Sequence, residues 1–443
     1  MQLNMTVRHR IRKLNWLAAL SMSTVRQTAA FGSSMVSNAN AVASPVLETK
    51  TVPGLKNGMD YCSLGSATDC LVSKVCMGTM TFGKQNTIEE GVKQLQTAFD
   101  EYGVNFLDTA EMYPVPGSPE TKGLTDATVA KFLKDRRRSD VVLATKVSGR
   151  SERIDWLRAG GESTQVNRAQ IFESVDASLK RLGTDYIDLL QIHWPGTYIS
   201  SARNQRSFHT CLFLFTLFDF RFADRYVGGL FGQPDFSPSK VWDTNPLEEQ
   251  LEALKEVVDS GKVRYVGVSN ETPYGVMEML HLSRSNPSKY AHIVSIQNSY
   301  SLTVRKDFEA GLSEVCYHNK IGLLPYSPLA GGVLTGKYEN PKTVPENARL
   351  KLFPGFMERY LGSQNQAAVR EYCEIARRNS MSPAQLALSW VYHREHVCST
   401  IIGSTTQEQL HECLGAYDIR LEDDVLDQIN KTYKKYTDPT KAY

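Results

Sequence analysis

From about Met59 onward the chain alternates eight short apolar runs with amphipathic stretches, and this alternation constrains the fold more than any other feature. The runs lie at 74–80, 105–110, 141–147, 187–194, 263–270, 293–300, 321–329 and 398–404. Each is nearly continuous in apolar residues, the pattern of parallel strands covered on both faces. Helical patterns fall between them at 88–102, 171–182, 247–260, 308–319 and 383–393. Leu247, Leu251, Leu254, Val257 and Val258, for example, share one helical face. Eight strands alternating with helices predict an α/β fold of the closed (β/α)8 TIM-barrel type, a single domain over 59–438. The competitor is an open doubly wound sheet. It calls for a G-x-G-x-x-G turn after its first strand, and none stands there.

Composition narrows the partners. A formal net charge of +2 gives no reason to expect nucleic acid or an anionic membrane surface. The eight cysteines (62, 70, 76, 211, 316, 373, 398 and 413) contain no C-x-x-C pair and no zinc-type spacing with histidine. They are expected to be reduced, mostly buried thiols, and no metal site is expected. The N-terminus differs from the rest. Between Met1 and Leu47 there is no acidic residue, while Arg8, Arg10, Arg12, Lys13 and Arg26 stand among many Ser, Thr and Ala. Residues 1–52 therefore read as a disordered, transit-like segment, with a plastid favoured over a mitochondrion or the cytoplasm. A plain disordered tail would share that composition. No apolar stretch there is long enough for a membrane span.

In such a barrel, chemistry sits at the C-terminal ends of the strands. The second run ends in Leu107-Asp108-Thr109-Ala110-Glu111-Met112-Tyr113, the third in Ala144-Thr145-Lys146-Val147, and the fourth in Gln191-Ile192-His193-Trp194-Pro195. Asp108, Lys146 and His193 thus converge on one rim, with Tyr113 a short loop away. That set suits carbonyl reduction. A carbonyl that accepts hydride needs a proton at its oxygen, and an unperturbed tyrosine, with a pKa of about 10, is a poor donor at neutral pH. A neighbouring ammonium lowers the phenol and a carboxylate holds the ammonium in place. A histidine can hydrogen-bond the carbonyl oxygen as charge develops on it. Singly, each residue has a plainer reading. The Asp could be a helix cap, the Lys a Schiff-base former, the His a satisfied core residue and the Tyr a packing aromatic.

At this point the sequence resembles the aldo-keto reductase superfamily and, within it, the bacterial Tas-like branch and its plant plastid relatives. The resemblance rests on VCMGTMTFG from Val75, LDTAEMYPVP from Leu107, ATKV from Ala144 and QIHWP from Gln191. It continues through GKVRYVGVSNE from Gly261, IQNSYS from Ile296, PYSPLAGGVLTGKY from Pro325 and IIGSTTQEQL from Ile401. It implies the barrel, NADPH as cofactor and the four catalytic residues above. It further implies that Ser269, Asn270 and Gln297 bind the nicotinamide amide, and that Tyr326 stacks on its ring. Ser327, Leu329, Gly331 and Lys337 would line the pyrophosphate, with Gly403, Ser404, Thr405 and Gln409 around the adenosine 2′-phosphate. The residues themselves agree with this. Gly331-Gly332 lets backbone approach a phosphate, Lys337 supplies countercharge, and a helix expected at Gln407 makes the preceding turn an anion site. Capping turns look the same, and Gln297 could equally be a satisfied core amide. Arg349 is a further 2′-phosphate candidate. Related sequences often carry Asn where this chain has Cys413, so the adenine contact, and with it NADPH over NADH, is open.

A second departure is larger. After His193-Trp194-Pro195 the family pattern continues directly with Asp-Arg-Tyr-Val, which here begins only at Asp224. The intervening 196–223 includes the run CLFLFTLFDFRF from Cys211. Translation of a T-rich intron yields such a run, so 196–223 reads as a retained or mispredicted intron. A substrate loop, a partner-binding segment or a membrane anchor are the alternatives, although the run is too short to span a bilayer. Three functional readings stand. The first is an NADP-dependent reductase of a small-molecule aldehyde or ketone. The second is an NADPH-binding regulatory subunit of the potassium-channel β type. The third is an isoform inactivated by the insertion beside His193. The physiological substrate and the oligomeric state are not legible; Trp156 and Trp194 could wall an apolar pocket or merely pack.

Overall fold

The computed structural model describes residues 56–65, 68–195 and 245–441, together with the short strand β1 (Leu47–Glu48). These belong to one compact unit, Ser44–Tyr443. The rest of the N-terminal segment and the whole of 196–223 lie outside the described residues.

An antiparallel hairpin, β2 (Tyr61–Ser63) and β3 (Leu71–Ser73), leads straight into the barrel, with β1 paired on the outer edge of β2. Eight parallel strands follow: β4 (Val75–Gly78), β5 (Phe106–Asp108), β6 (Val142–Val147), β7 (Ile187–Ile192), β8 (Val263–Ser269), β9 (Ile293–Gln297), β10 (Gly322–Leu323) and β11 (Thr400–Ile402). Strands β4 to β10 pair in sequence order and β11 lies beside β4. The two ends of the sheet then meet: Cys398 N donates to Leu323 O at 2.8 Å and Ile401 N to Pro325 O at 2.8 Å. The sheet is closed, as the eight-run pattern predicts.

The strands are shorter than the apolar runs. The seventh shrinks to two residues because Pro325 has no N–H for the ladder and the chain turns at Ser327, whose φ is 54°.

Helices α1 (Ile88–Gln96), α2 (Leu124–Leu133), α3 (Arg168–Leu182), α4 (Leu247–Asp259) and α5 (Pro273–Ser285) cover the outside of the first five strands. Their starts are written locally. Thr87 and Glu90 form a reciprocal cap on α1, and Thr272 caps α5 ahead of Pro273 at its first position. The helix expected at 308–319 is instead two pieces, α6 (Lys306–Glu309) and α7 (Leu312–Asn319), broken at Gly311 with a φ of 108°. The remaining helices are α8 (Arg349–Leu352), α9 (Ser363–Arg378), α10 (Pro383–Tyr392), α11 (Gln407–Gly415) and α12 (Asp423–Lys435).

The barrel interior is plugged from the N-terminal side. Cys62, Leu64, Cys70 and Val72 of the hairpin pack against Cys76, Phe106, Val142, Leu189, Val294 and Leu324. With that end sealed, the open end is the one formed by the strands' C-termini. Among the described residues no helix is long and apolar enough to cross a membrane.

Candidate active site

The C-terminal rim opens on a cavity of about 690 Å³, within the roughly 300–1,000 Å³ of small-ligand sites. Its floor is polar. Strand β5 ends at Asp108, β6 carries Lys146, His193 follows β7, and Tyr113 stands on the turn after β5. Lys146 is 0% exposed, and its Nζ donates to Asp108 Oδ2 at 2.5 Å and to Thr109 O at 2.9 Å. The same Nζ lies 3.4 Å from Tyr113 Oη. The His193 ring stands edge-on to Tyr113, with centroids 5.9 Å apart. Its backbone is held on both sides: His193 N donates to Val147 O at 2.9 Å, and His193 O accepts from Asn270 Nδ2 at 2.8 Å. The four residues expected from strand ends therefore meet at one place.

Their protonation follows from their surroundings. Burial alone would push Lys146 down, but the charge of Asp108 and the Tyr113 hydroxyl outweigh it and raise the ammonium above its ordinary value. Burial pushes the Tyr113 phenol up, and Lys146 opposes that without overcoming it. The lysine thus acts in the expected direction, yet the net shift of the phenol is upward, and Tyr113 is a fully protonated donor at neutral pH. Burial and the Lys146 charge push His193 well below the usual histidine range, so its imidazole is neutral. Its Nδ1 is shielded from solvent and has no partner among the described residues.

All twelve residues expected to hold the cofactor line the same cavity: Ser269, Asn270, Gln297, Tyr326, Ser327, Leu329, Gly331, Lys337, Gly403, Ser404, Thr405 and Gln409. Asn270 sits in the left-handed region with a φ of 58° and accepts from Tyr326 Oη at 2.8 Å, which ties the two together. At Gly332, φ is 94° and an added Cβ would lie 2.9 Å from Lys337 Cε, so the turn needs glycine for this lysine to approach. Helix α11 begins at Gln407 as expected, capped by Thr406. Gln409 is partly committed, accepting from Thr405 N at 3.0 Å. Lys337 and Arg349 both line the cavity, and neither has a carboxylate partner among the described residues. Burial lowers both, and the Arg349 charge lowers Lys337 further. Such a cationic pair calls for an anion. Cys413 is buried on the same wall with its thiol pushed up to about 12.

Sequence reasoning missed two supports. Gln191 Nε2 and Gln297 Nε2 both donate to Asp108 Oδ1, at 3.2 and 2.8 Å, and Gln297 Nε2 also reaches Gln191 Oε1 at 3.2 Å. A glutamine inside an apolar strand was the available signal; only the barrel's closure aims it at Asp108. The second support is a buried bidentate pair, with Arg158 Nη1 and Nη2 donating to Glu111 at 2.8 and 2.9 Å. Burial would raise Glu111, but Arg158 holds it below the ordinary carboxylate range. This pair ties the loop that carries Tyr113 to the loop after β6. Of the two tryptophans, Trp194 walls the cavity, while Trp156 packs against the buried cluster that includes Met112, Tyr113 and Trp194.

The Aldo/keto reductase family model matches residues 74–434, most of the chain. The chain belongs to the aldo-keto reductase family. This aldo-keto reductase is 40% identical over 369 residues to Protein tas of Escherichia coli (strain K12), covering 83% of this chain and 96% of that protein. Protein tas of Shigella flexneri is similar to the same extent. The Aldo-keto reductase of Babesia bovis is 36% identical over 310 residues, covering 68% of this chain and 99% of that protein. Family membership makes the protein an oxidoreductase acting on small-molecule carbonyl groups and places it in the Tas-like branch.

Proposed function

We propose that this aldo-keto reductase is an NADPH-dependent reductase of an aldehyde or ketone, with Tyr113 as its general acid. The observation that carries the reading is the buried chain Asp108–Lys146–Tyr113 beside a neutral His193. When bound, the reduced nicotinamide supplies hydride to the carbonyl carbon. Ser269, Asn270 and Gln297 would hold the nicotinamide amide, and Tyr326 would pack on its ring. Tyr113 Oη gives its proton to the carbonyl oxygen, and the phenolate left behind is stabilised by the Lys146 ammonium 3.4 Å away. Asp108 fixes that ammonium, and the two glutamine amides fix Asp108. The neutral His193 offers an N–H to the same carbonyl oxygen, a donor preorganised where charge develops.

The pair Lys337 and Arg349 supports a phosphate-rich dinucleotide and hence NADPH. Cys413, a weak donor, would add little to an adenine contact, while Gly403, Ser404, Thr405 and Gln409 would surround the adenosine 2′-phosphate. His193 keeps its barrel hydrogen bonds although the insertion begins three residues later, which supports an active enzyme rather than an inactivated form. The composition of 1–52 supports a plastid transit segment, and that of 196–223 a retained intron.

The test is NADPH oxidation against a panel of aldehydes and ketones, using protein that starts at Pro53, with and without 196–223. Turnover that falls about 100-fold or more in Tyr113→Phe is expected. Tight NADPH binding without turnover in either form would overturn the reading in favour of a regulatory subunit.

A further inference from the structure

The plugged end of the barrel, remote from the cavity, holds a pair of thiols that catalysis does not use. Cys62 on β2 and Cys398 just before β11 have their sulfurs 3.1 Å apart, although 336 positions separate them in sequence. Both are buried, at 1% and 5% exposure. Their contact is polar as well as close. Cys62 Sγ also reaches Cys398 O at 3.0 Å, and Lys74 Nζ donates to Val397 O, next in sequence, at 2.5 Å. The sulfurs need to close by only about 1 Å to reach bonding distance.

We propose that Cys62 and Cys398 are a modification site, which peroxide-class oxidants convert to a reversible intramolecular disulfide that locks the hairpin plug to the barrel's closing strand. The site is selective because the cysteines differ. Hydrogen bonding by Cys398, with help from the Lys74 charge, holds the Cys62 thiol below its ordinary range. Burial pushes Cys70, Cys316, Cys373 and Cys413 up to about 12, and holds Cys76 well above the ordinary thiol range. The thiolate is the nucleophile, so Cys62 reacts first.

The steps balance. Cys62 sulfur attacks one peroxide oxygen, an S–O bond forms, the O–O bond breaks, and water leaves once the hydroxide takes up the Cys62 proton. Cys398 sulfur then attacks the Cys62 sulfenic acid. The S–S bond forms, the S–O bond breaks, and the second hydroxide leaves as water with the Cys398 proton. Two thiols lose two electrons to one peroxide. A dithiol reverses the bond by exchange. Hydrogen peroxide is small and uncharged, so local opening of a hairpin with three residues per strand admits it.

The experiment treats the full chain with hydrogen peroxide, blocks the remaining thiols and maps the peptides by mass spectrometry. The expected result is one Cys62–Cys398 cross-linked peptide, lighter by about 2 Da than its two thiol peptides together and lost again on dithiothreitol treatment. The cross-link should persist in Cys70→Ala, and Cys398→Ser, which keeps a hydrogen-bond donor beside Cys62 but no second sulfur, should instead leave a sulfenic acid on Cys62 that dimedone traps. A cross-link through Cys70 or any other cysteine would overturn the assignment. So would oxidation of the other cysteines while Cys62 stays a thiol in the unmutated protein. Neither readout depends on the enzyme's activity.

Discussion

Replacing Lys146 by Met removes the ammonium but keeps an apolar stem of similar length, and this separates catalysis from folding. In the native protein Asp108 Oδ2 accepts from Lys146 at 2.5 Å, while Oδ1 accepts from Gln297 and Gln191. Both charged side chains are within 3% of full burial. Loss of the lysine leaves a carboxylate in the barrel with only two amide donors among the described residues, and breaking a buried pair from one side costs about 3–5 kcal/mol. Against a total stability of about 5–15 kcal/mol the variant folds but is marginal. Adding Asp108→Asn removes the orphaned charge and keeps an acceptor for Gln297. The double variant should then recover about 2–3 kcal/mol of the loss, a coupling at the upper end for contacting residues. Activity should not recover with it, since Tyr113 still lacks its ammonium; a deficit of about 100-fold or more is expected in both variants. Urea unfolding followed by fluorescence gives the stabilities, and NADPH oxidation gives the rates. Destabilisation by Asp108→Asn and Lys146→Met that adds to within about 0.5 kcal/mol would refute the reasoning, because independent residues behave that way.

Three further outcomes follow from the geometry. Gln191→Leu is nearly isosteric and removes one hydrogen bond to the Asp108 carboxylate, worth about 1.5–3 kcal/mol. It should lower kcat about tenfold or more while leaving the Kd for NADPH, measured by fluorescence titration, unchanged. Arg349→Ala should weaken NADPH more than NADH, by about tenfold in the ratio of their Kd values; equal weakening of both would place the arginine away from the 2′-phosphate. His393 and His396 are each pushed down to about 4, burial first and a neighbouring arginine second. Their folded pKa values lie below the unfolded value of about 6.5, so the stability from keeping them neutral is present above that value and is lost as pH falls from about 6.5 to 4. The thermal midpoint should drop across that window, and less so in His396→Phe, whose ring can take the place against Tyr300 and Phe308.

By itself the sequence determined the barrel and named the candidates for its rim. Eight apolar runs separated by one-sided helices leave few arrangements that bury every strand, and residues at strand ends must then share a rim. That is why Asp108, Tyr113, Lys146 and His193 were legible before any coordinate. The residues expected to hold a cofactor were named for a different reason: they stand in long motifs that resemble the family's, and that likeness implies a dinucleotide. What only the tertiary structure decided is how groups far apart in sequence face one another. Gln191 and Gln297 meet on Asp108 because β7 and β9 curve around the same axis, and no local pattern encodes that distance. Glu111 finds Arg158, and Cys62 finds Cys398, only once loops and plug are in place. The net upward shift of Tyr113 was likewise unreadable. It balances burial against a lysine's charge, and burial is a property of the closed barrel, not of any residue in it.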